Sequence, residues 1–405
     1  MRASGANGSA RRPGAEAVTR PAWQTSPSGD PAKPLHGIRV LELARILAGP
    51  WCGQLLADLG AEVIKIERPG SGDDTRHWGP PFVTSEEGAN LGAAYYHSTN
   101  RGKRSIAIDI AIPEGQALIR ELVAETDIMI ENYKVGALAK YGLDHAALTQ
   151  LNPRLITCSI TGFGQTGPYA HRAGYDFIAQ AMGGMMSMTG EPDRDPQKAG
   201  IAVADLFTGL YSSVAILAAL NRRDRNGVGA HIDMALLDTQ VAVMGNQAMN
   251  WMTSGQVPRR FGNGHANLAP YQAFSTLDGP LVIAAGNDGQ FASLCCILGC
   301  SLHEDPRFAS NPARLSNRSE LIATVEALTA QWNRHKLCTA LEMAGVPAGP
   351  IYELDEVFAD PQVVARGLAV VPEGYKGVAS PIVIDGVRMV SDRAAPAIAE
   401  PFANE

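Results

Sequence analysis

Residues 38–67 read IRVLELARILAGPWCGQLLADLGAEVIKIE, and this stretch decides the fold class. Ile38–Leu43 is a short, β-rich run and predicts a strand. Pro50–Leu59 carries its apolar residues at helical spacing, and Gly60 is a natural stop. Glu62–Glu67 predicts a second strand. Strand, helix and strand in this order make a βαβ unit, with parallel pairing and a right-handed crossover.

The pattern continues downstream. Strands are expected at 104–110, 127–131 and 155–160. A helix runs from Pro113 to Glu125, and shorter ones cover 136–141 and 145–151. The alternation predicts an α/β lobe built on a doubly wound sheet. From Tyr175 the chain turns mostly helical, at 177–186, 204–221 and 238–253, with a strand at 231–235. After the polar segment 256–270, a strand at 281–285, helices at 290–298, 318–332 and 336–344, and returning strands at 350–354 and 381–384 outline a smaller α/β region. The expected division is a disordered tail over 1–33, a large Rossmann-like domain over 34–225 completed by 365–405, a linker helix over 226–255, and a small domain with its return linker over 256–364.

At 405 residues the chain is long enough for two lobes. Its net charge of -7 comes with no basic stripe, so no nucleic-acid partner is expected. No membrane partner is expected either. The run GIAVADLFTGLYSSVAILAAL, 200–220, approaches the length of a span. Asp205, Thr208, Ser212 and Ser213 interrupt it, and it reads as a buried helix of a soluble protein. The six cysteines match no metal-ligand spacing and predict reduced thiols in a cytoplasmic protein. Residues 1–33 are rich in Gly, Ala, Ser, Pro and Arg. They read as a tail, with a mitochondrial transit peptide as the alternative.

Gly162-Phe-Gly-Gln-Thr-Gly167 fits G-x-G-x-x-G after a strand, which points to a nicotinamide oxidoreductase. However, Pro168 and a polar run follow where the fingerprint needs a helix, and no acid closes a strand about 20 residues on. A structural turn is the stronger reading. Walker, nucleophile-elbow and H-E-x-x-H motifs are missing from the sequence. Lys65, Arg68, Arg101, Lys103, Arg104, Lys134 and Lys140 gather near strand ends, where Arg68 and Lys134 suit an anionic ligand or are solvated surface charge. Gly262–Tyr271 is a glycine-containing loop around His265, either a cover for a site or a linker.

Asp205 is the single charge in residues 200–220. It is either a helix-start residue held by backbone N–H groups, or a nucleophile that uses those donors to stay ionised and to stabilise an oxyanion. The two roles are compatible.

The chain resembles class III CoA-transferases from Pro34 to its end. The motifs that carry the resemblance are PLHGIRVLELARILAGPWCGQLLADLGAEVIKIERPGSGDDTR, NRGKRSIAIDI (100–110), DIMIENYKVGALAKYGL (127–143), NPRLITCSITGFGQTGPY (152–169), AGYDFIAQAMGGMMSMTG (173–190), ADLFTGLYSSVAILAAL (204–220), GNGHANLAPYQAF (262–274) and AGVPAGPIYELDEVFADPQV (344–363). The resemblance implies an interlocked dimer of two ring-shaped chains, each with a Rossmann-like large lobe. It implies Asp205 as the nucleophile that takes an acyl group from an acyl-CoA, forms a mixed anhydride and then an aspartyl-CoA thioester, and delivers CoA to a carboxylic acid. By motif position it implies CoA contacts at Leu47, Ala48, Arg68, Ile108, Asn132, Tyr133, Lys134, Lys140 and the turn Ala173, Gly174, Tyr175, Asp176. The loop Gly262, Asn263, Gly264, His265 resembles the family's flap. CoA is expected as a substrate, with no tightly bound cofactor or metal. Formyl-CoA transferases carry Gln where this chain has Leu47 and a glycine run where it has Gly-Asn-Gly-His, which points away from formyl and oxalate chemistry and toward a larger or dicarboxylic acid. The α-methylacyl-CoA racemases of the same family have His where this chain has Tyr175. Since α-proton transfer needs acid/base groups near neutral pH, transfer outranks racemisation.

Overall fold

Six strands form the main sheet: β1 (Arg39–Glu42), β2 (Glu62–Glu67), β3 (Lys103–Ala107), β4 (Ile128–Glu131), β5 (Ile156–Thr161) and β6 (Ala230–Ala235). The computed structural model describes Trp23 and residues 30–399. The strand order is β3-β2-β1-β4-β5-β6. β1 runs parallel to both β2 and β4, β3 parallel to β2, and β5 parallel to β4. The α/β, doubly wound expectation is met. The order reverses between β1 and β4, and open sheets of this kind bind ligands at such a reversal.

The chain divides into two compact units. Among the described residues the first comprises Trp23, 30–159, 212–232 and 389–399, and the second 160–211 and 233–388. This differs from the expected boundaries, since the span 34–225 is split and the return falls at 389 rather than 365. The cause is local. Helix α4 (Asp176–Met182) packs on helix α6 (Leu236–Ala242) within the second unit. A Cβ on Gly183, just after α4, would lie 2.3 Å from Gln240 Cγ.

Within the first unit, α1 (Ala48–Asp58), α2 (Pro113–Val123) and α3 (His145–Leu151) accompany the sheet. Leu41, Ile64, Ile119, Leu122, Met129 and Leu148 share one core. Trp23 joins that core, its Nε1 donating to the Leu122 carbonyl at 3.0 Å. The expected disordered tail is therefore corrected at Trp23 and at Lys33, whose Nζ donates to the Val390 carbonyl at 2.6 Å. The rest of that expectation, 1–22 and 24–29, lies outside the described residues.

Several of the basic residues near strand ends prove to be internal. Lys65 and Lys103 are fully buried and share the Glu42 carboxylate, at 3.0 and 2.8 Å. Lys65 also meets Asp73 at 2.9 Å, Arg101 meets Asp58 at 2.6 Å and Arg104 meets Glu62 at 3.0 Å. Buried charges of this kind are tolerated because each is paired. Arg68, Lys134 and Lys140 are exposed, as a ligand contact requires.

The second unit adds a three-stranded antiparallel sheet of β7 (Tyr271–Thr276), β8 (Gly279–Ala284) and β9 (Ala348–Pro350), in the order β9-β8-β7. Sequence reading missed β7, although Leu277-Asp278 before a glycine marks a hairpin. Helices α8 (Asp288–Leu298), α9 (Arg318–Thr329) and α10 (Arg334–Met343) pack around Phe274, Ile283, Phe291, Leu321 and Leu337. The expected helix over 238–253 is two helices, α6 and α7 (Gly245–Ser254), broken where Gly245 takes φ +50°.

Helix α5 (Val203–Asn226) corrects the buried-helix expectation by half. Thr208, Ser212 and Ser213 are buried, while Phe207, Leu210, Tyr211 and Val214 are each more than 40% exposed. Among the described residues this is one helix long and apolar enough to cross a membrane, and half of its most apolar window is buried in the fold.

Candidate active site

Asp205 lies in the first turn of α5 and is only 9% exposed. Burial, and then the like charge of Asp176, push its carboxyl up to about 7. The amides at this helix start are committed elsewhere. Asp176 Oδ1 accepts the N–H of Ala204 at 2.8 Å and of Asp205 itself at 3.3 Å. Asp176 thus caps α5 from α4, a task usually done by the residue preceding the helix. The expectation that backbone donors hold Asp205 ionised is therefore corrected. Among the described residues its carboxylate accepts no hydrogen bond, and a carboxylate with few competing donors and a raised pKa is a strong nucleophile at neutral pH.

Gln180 secures the arrangement, although nothing in the sequence had singled it out. It is fully buried on α4, four residues after Asp176, and donates to Asp176 Oδ2 at 2.7 Å. Its Oε1 accepts from Ala199 N at 2.9 Å. One amide thus ties α4 to the segment entering α5. The only signal available was the Asp–Gln spacing on one helical face.

The turn Ala173–Asp176 is placed by the glycine loop before it. A Cβ on Gly162 would sit 2.5 Å from Gly174 Cα, so the two backbones touch only because both residues are glycine. The loop amide of Gln165 donates to both Asp233 carboxylate oxygens, at 3.1 and 3.0 Å. The next helix starts only at Asp176. The G-x-G-x-x-G run is thus a structural turn, and its amide is taken by an acid where a dinucleotide site would present it to phosphate. Tyr175, next to Asp176, is 61% exposed.

In the first unit, the sheet's reversal point carries several of the residues implied to contact CoA. Asn132, just after β4, accepts the Arg45 N–H at 2.9 Å and donates to the Arg45 carbonyl at 2.6 Å, which links the two loops leaving β1 and β4. Leu47 and Ala48 follow, at the start of α1. The Arg45 guanidinium stands 6.0 Å from the Tyr133 ring centroid and pairs with Asp74 at 2.7 Å. Sequence reading did not flag Arg45. Arg68 and Lys134 are exposed beyond β2 and β4. Lys140 lies over the Tyr141 ring at 4.5 Å. Leu47, Ala48 and Ile108 are buried. The Ile108 N–H is already donated to the Glu67 carbonyl.

The flap belongs to the second unit. Gly262 takes φ +57° and donates its N–H to the Gly190 carbonyl at 3.1 Å. A Cβ there would lie 2.9 Å from the Glu191 carboxylate. Asn263 is exposed. His265 packs on Tyr271 with 5.0 Å between ring centroids, and its Nδ1 accepts the Asn267 N–H at 3.1 Å.

Comparison with known proteins supports one assignment. The model of CoA-transferase family III matches residues 35–400. The chain is 57% identical over 373 residues to the Agrobacterium fabrum succinate–glutarate CoA-transferase, covering 91% of this chain and 93% of that enzyme. It is 45% identical over 354 residues to the human succinyl-CoA:glutarate CoA-transferase, covering 85% and 78%. A CAIB/BAIF family protein from Brucella suis superposes with a TM-score of 0.83 at 56% identity, covering 90% and 96% of the two chains. The chain belongs to CoA-transferase family III and is an enzyme that moves CoA from an acyl-CoA to a carboxylic acid.

Proposed function

We propose that Asp205 carries the acyl group and then CoA, that both acids are dicarboxylic, and that the enzyme works as an interlocked cytoplasmic homodimer. The observation that carries the reading is the Asp205 environment: a buried carboxylate with no hydrogen-bond donor among the described residues, its pKa raised to about 7.

The carboxylate attacks the donor thioester, giving a mixed anhydride and CoA thiolate. The thiolate attacks the Asp205 carbonyl carbon, giving the aspartyl-CoA thioester and releasing the donor acid. The acceptor carboxylate attacks that thioester, and CoA thiolate then collects the acceptor acyl group, which restores Asp205. Each step exchanges one activated carbonyl for another, so the activation survives without ATP provided water is kept out. Leu47, Ala48, Arg68, Ile108, Asn132, Tyr133, Lys134, Lys140 and the 173–176 turn are the proposed CoA contacts, and Gly262–His265 the cover. Succinyl-CoA as donor and a five-carbon diacid as acceptor are proposed from the names of the Agrobacterium and human relatives.

The exposed apolar residues of α5 support the homodimer, since patches of this kind mark protein contacts. Six cysteines present as thiols suit a reducing compartment. An Arg-rich segment at 1–33 acting as a transit peptide would move the enzyme to the mitochondrial matrix.

The test is chemical trapping. Succinyl-CoA turnover quenched with hydroxylamine or borohydride should leave the modification on the peptide containing Asp205. Asp205→Ala should give neither adduct nor transfer. A fully active Asp205→Ala enzyme refutes the mechanism.

A further inference from the structure

Two arginines grip the flap from opposite ends, and neither forms an ion pair among the described residues. Arg260, on the stem entering the flap, donates to three backbone carbonyls. Its Nη1 reaches Ser187 at 3.2 Å, its Nε Glu191 at 3.2 Å and its Nη2 Pro192 at 3.5 Å. Arg318, the first residue of α9, grips the stem leaving the flap. Its Nη2 meets the carbonyls of His265 at 2.8 Å, Ala266 at 3.3 Å and Leu268 at 3.5 Å. Its guanidinium also stands 5.6 Å from the Phe261 ring centroid, at the flap's leading edge.

The flap glycines fit between these two anchors. Gly264 takes no left-handed φ, so its backbone does not require glycine. A Cβ there would instead lie 3.2 Å from Arg318 Nη1 and 3.1 Å from the Phe261 carbonyl. Gly264 keeps the flap close against the Arg318 guanidinium. Gly262 closes the other side on the Gly190 carbonyl. Carbonyl acceptors hold a guanidinium without neutralising it; Arg260 spreads three nitrogens over three carbonyls, while Arg318 gathers three carbonyls around Nη2.

We infer that Arg260 and Arg318 are positioning residues that clamp the flap shut over the acylated Asp205 and so decide between transfer and hydrolysis. This rests on the covalent mechanism proposed above. When the clamp loosens, water adds to the acyl carbon of the anhydride. The C–O bond to Asp205 breaks, the carboxylate is restored, and the free acid and a proton leave. CoA is then lost as thiol without an acceptor being charged.

The test measures the ratio of acyl-CoA hydrolysed to CoA transferred, with succinyl-CoA and glutarate, in the full-length enzyme. Arg260→Met, Arg318→Met and Gly264→Ala should each raise that ratio about tenfold or more. Arg318→Lys, which keeps the charge but loses the guanidinium plane beside the Phe261 ring, should fall between Arg318→Met and wild type. A merely structural loss would lower both rates together and leave the ratio unchanged, and that result in all three variants overturns the clamp. Melting curves identify any variant that fails to fold, and Gly264→Ala tests the contact without removing a charge. Wild-type enzyme that transfers CoA with no Asp205 adduct overturns the covalent mechanism instead, a result distinguishable from failure of the clamp.

Discussion

Asp176 and Asp205 share a helix start but not its amides. Asp176 accepts the N–H groups of Ala204 and Asp205, while among the described residues the Asp205 carboxylate accepts no hydrogen bond and feels the negative charge of Asp176. One carboxylate is thereby stabilised as a cap while the other is left raised and available. Burial is the larger cause of that rise and Asp176 the smaller. Only the ionised form attacks a thioester, so transfer should increase with pH through about 7. Asp176→Asn keeps an acceptor oxygen for the cap but removes the charge. Its pH–rate midpoint should move to lower pH without reaching the ordinary carboxylate value, because burial remains. An unmoved midpoint in kcat/KM profiles would show that Asp176 does not tune Asp205.

The same environment costs stability. The folded chain holds the Asp205 proton more tightly than the unfolded chain, where the group titrates near 3.8. This contribution to stability is complete below that value and is lost as pH rises through about 7. Asp205→Asn is neutral at every pH. It should match wild type near pH 4 and exceed it at pH 8, by on the order of 2–4 kcal/mol. Urea unfolding of the two proteins at both pH values checks this, and equal stability at pH 8 contradicts it. A more stable, inactive variant is the expected signature of a strained catalytic group.

The turn bearing Asp176 depends on a contact that only glycine permits. Gly162→Ala would drive a methyl to 2.5 Å from Gly174 Cα and shift Ala173–Asp176. Because that turn carries the cap of the Asp205 helix, a displacement of about 1 Å should lower kcat by roughly 10²-fold. Steady-state kinetics beside a melting curve separate misplacement from unfolding.

Much of this was legible in the sequence. The run 38–67 gave strand β2 residue for residue and the parallel topology, because hydrophobic periodicity reports which faces are buried. Asp205 was visible as the lone charge in an apolar stretch. The sequence did not reveal what surrounds it. Capping by Asp176 joins residues far apart in the chain, and the role of Gln180 depends on where Ala199 lies. The pairing of the strand-end lysines was hidden for the same reason. In the sequence Lys65 and Lys103 are only charges near strand ends, until Glu42, a residue of β1, is seen to take both. The exposed face of α5 also escaped notice, since an apolar residue packed in a core and one awaiting a partner look identical in one dimension.

That buried lattice yields a stability prediction. A Cβ on Gly53 would stand 1.8 Å from Glu42 Oε2, so Gly53→Ala must displace the carboxylate shared by Lys65 and Lys103. Breaking a buried ion pair costs about 3–5 kcal/mol, because the remaining charge is stranded without water. Gly53→Ala and Glu42→Gln should each lower the urea midpoint by an amount in that range. A loss below about 1 kcal/mol in both would mean that water or rearranged partners satisfy the two lysines.

The apolar face of α5 makes the proposed homodimer testable. Phe207, Leu210, Tyr211 and Val214 recur at helical spacing, from 41% to 56% exposed, while Thr208, Ser212 and Ser213 on the same helix are buried. A soluble helix normally turns its apolar stripe inward, so this reversed arrangement calls for a covering surface. In a symmetric dimer a second copy supplies it, with each substitution felt twice. Val214→Glu and Leu210→Glu place charges on the stripe away from Asp205. Sedimentation velocity should show wild type as a dimer and the Glu variants as monomers or aggregates. Wild type sedimenting as a monomer at micromolar concentration would rule out the dimer and leave the stripe to another partner.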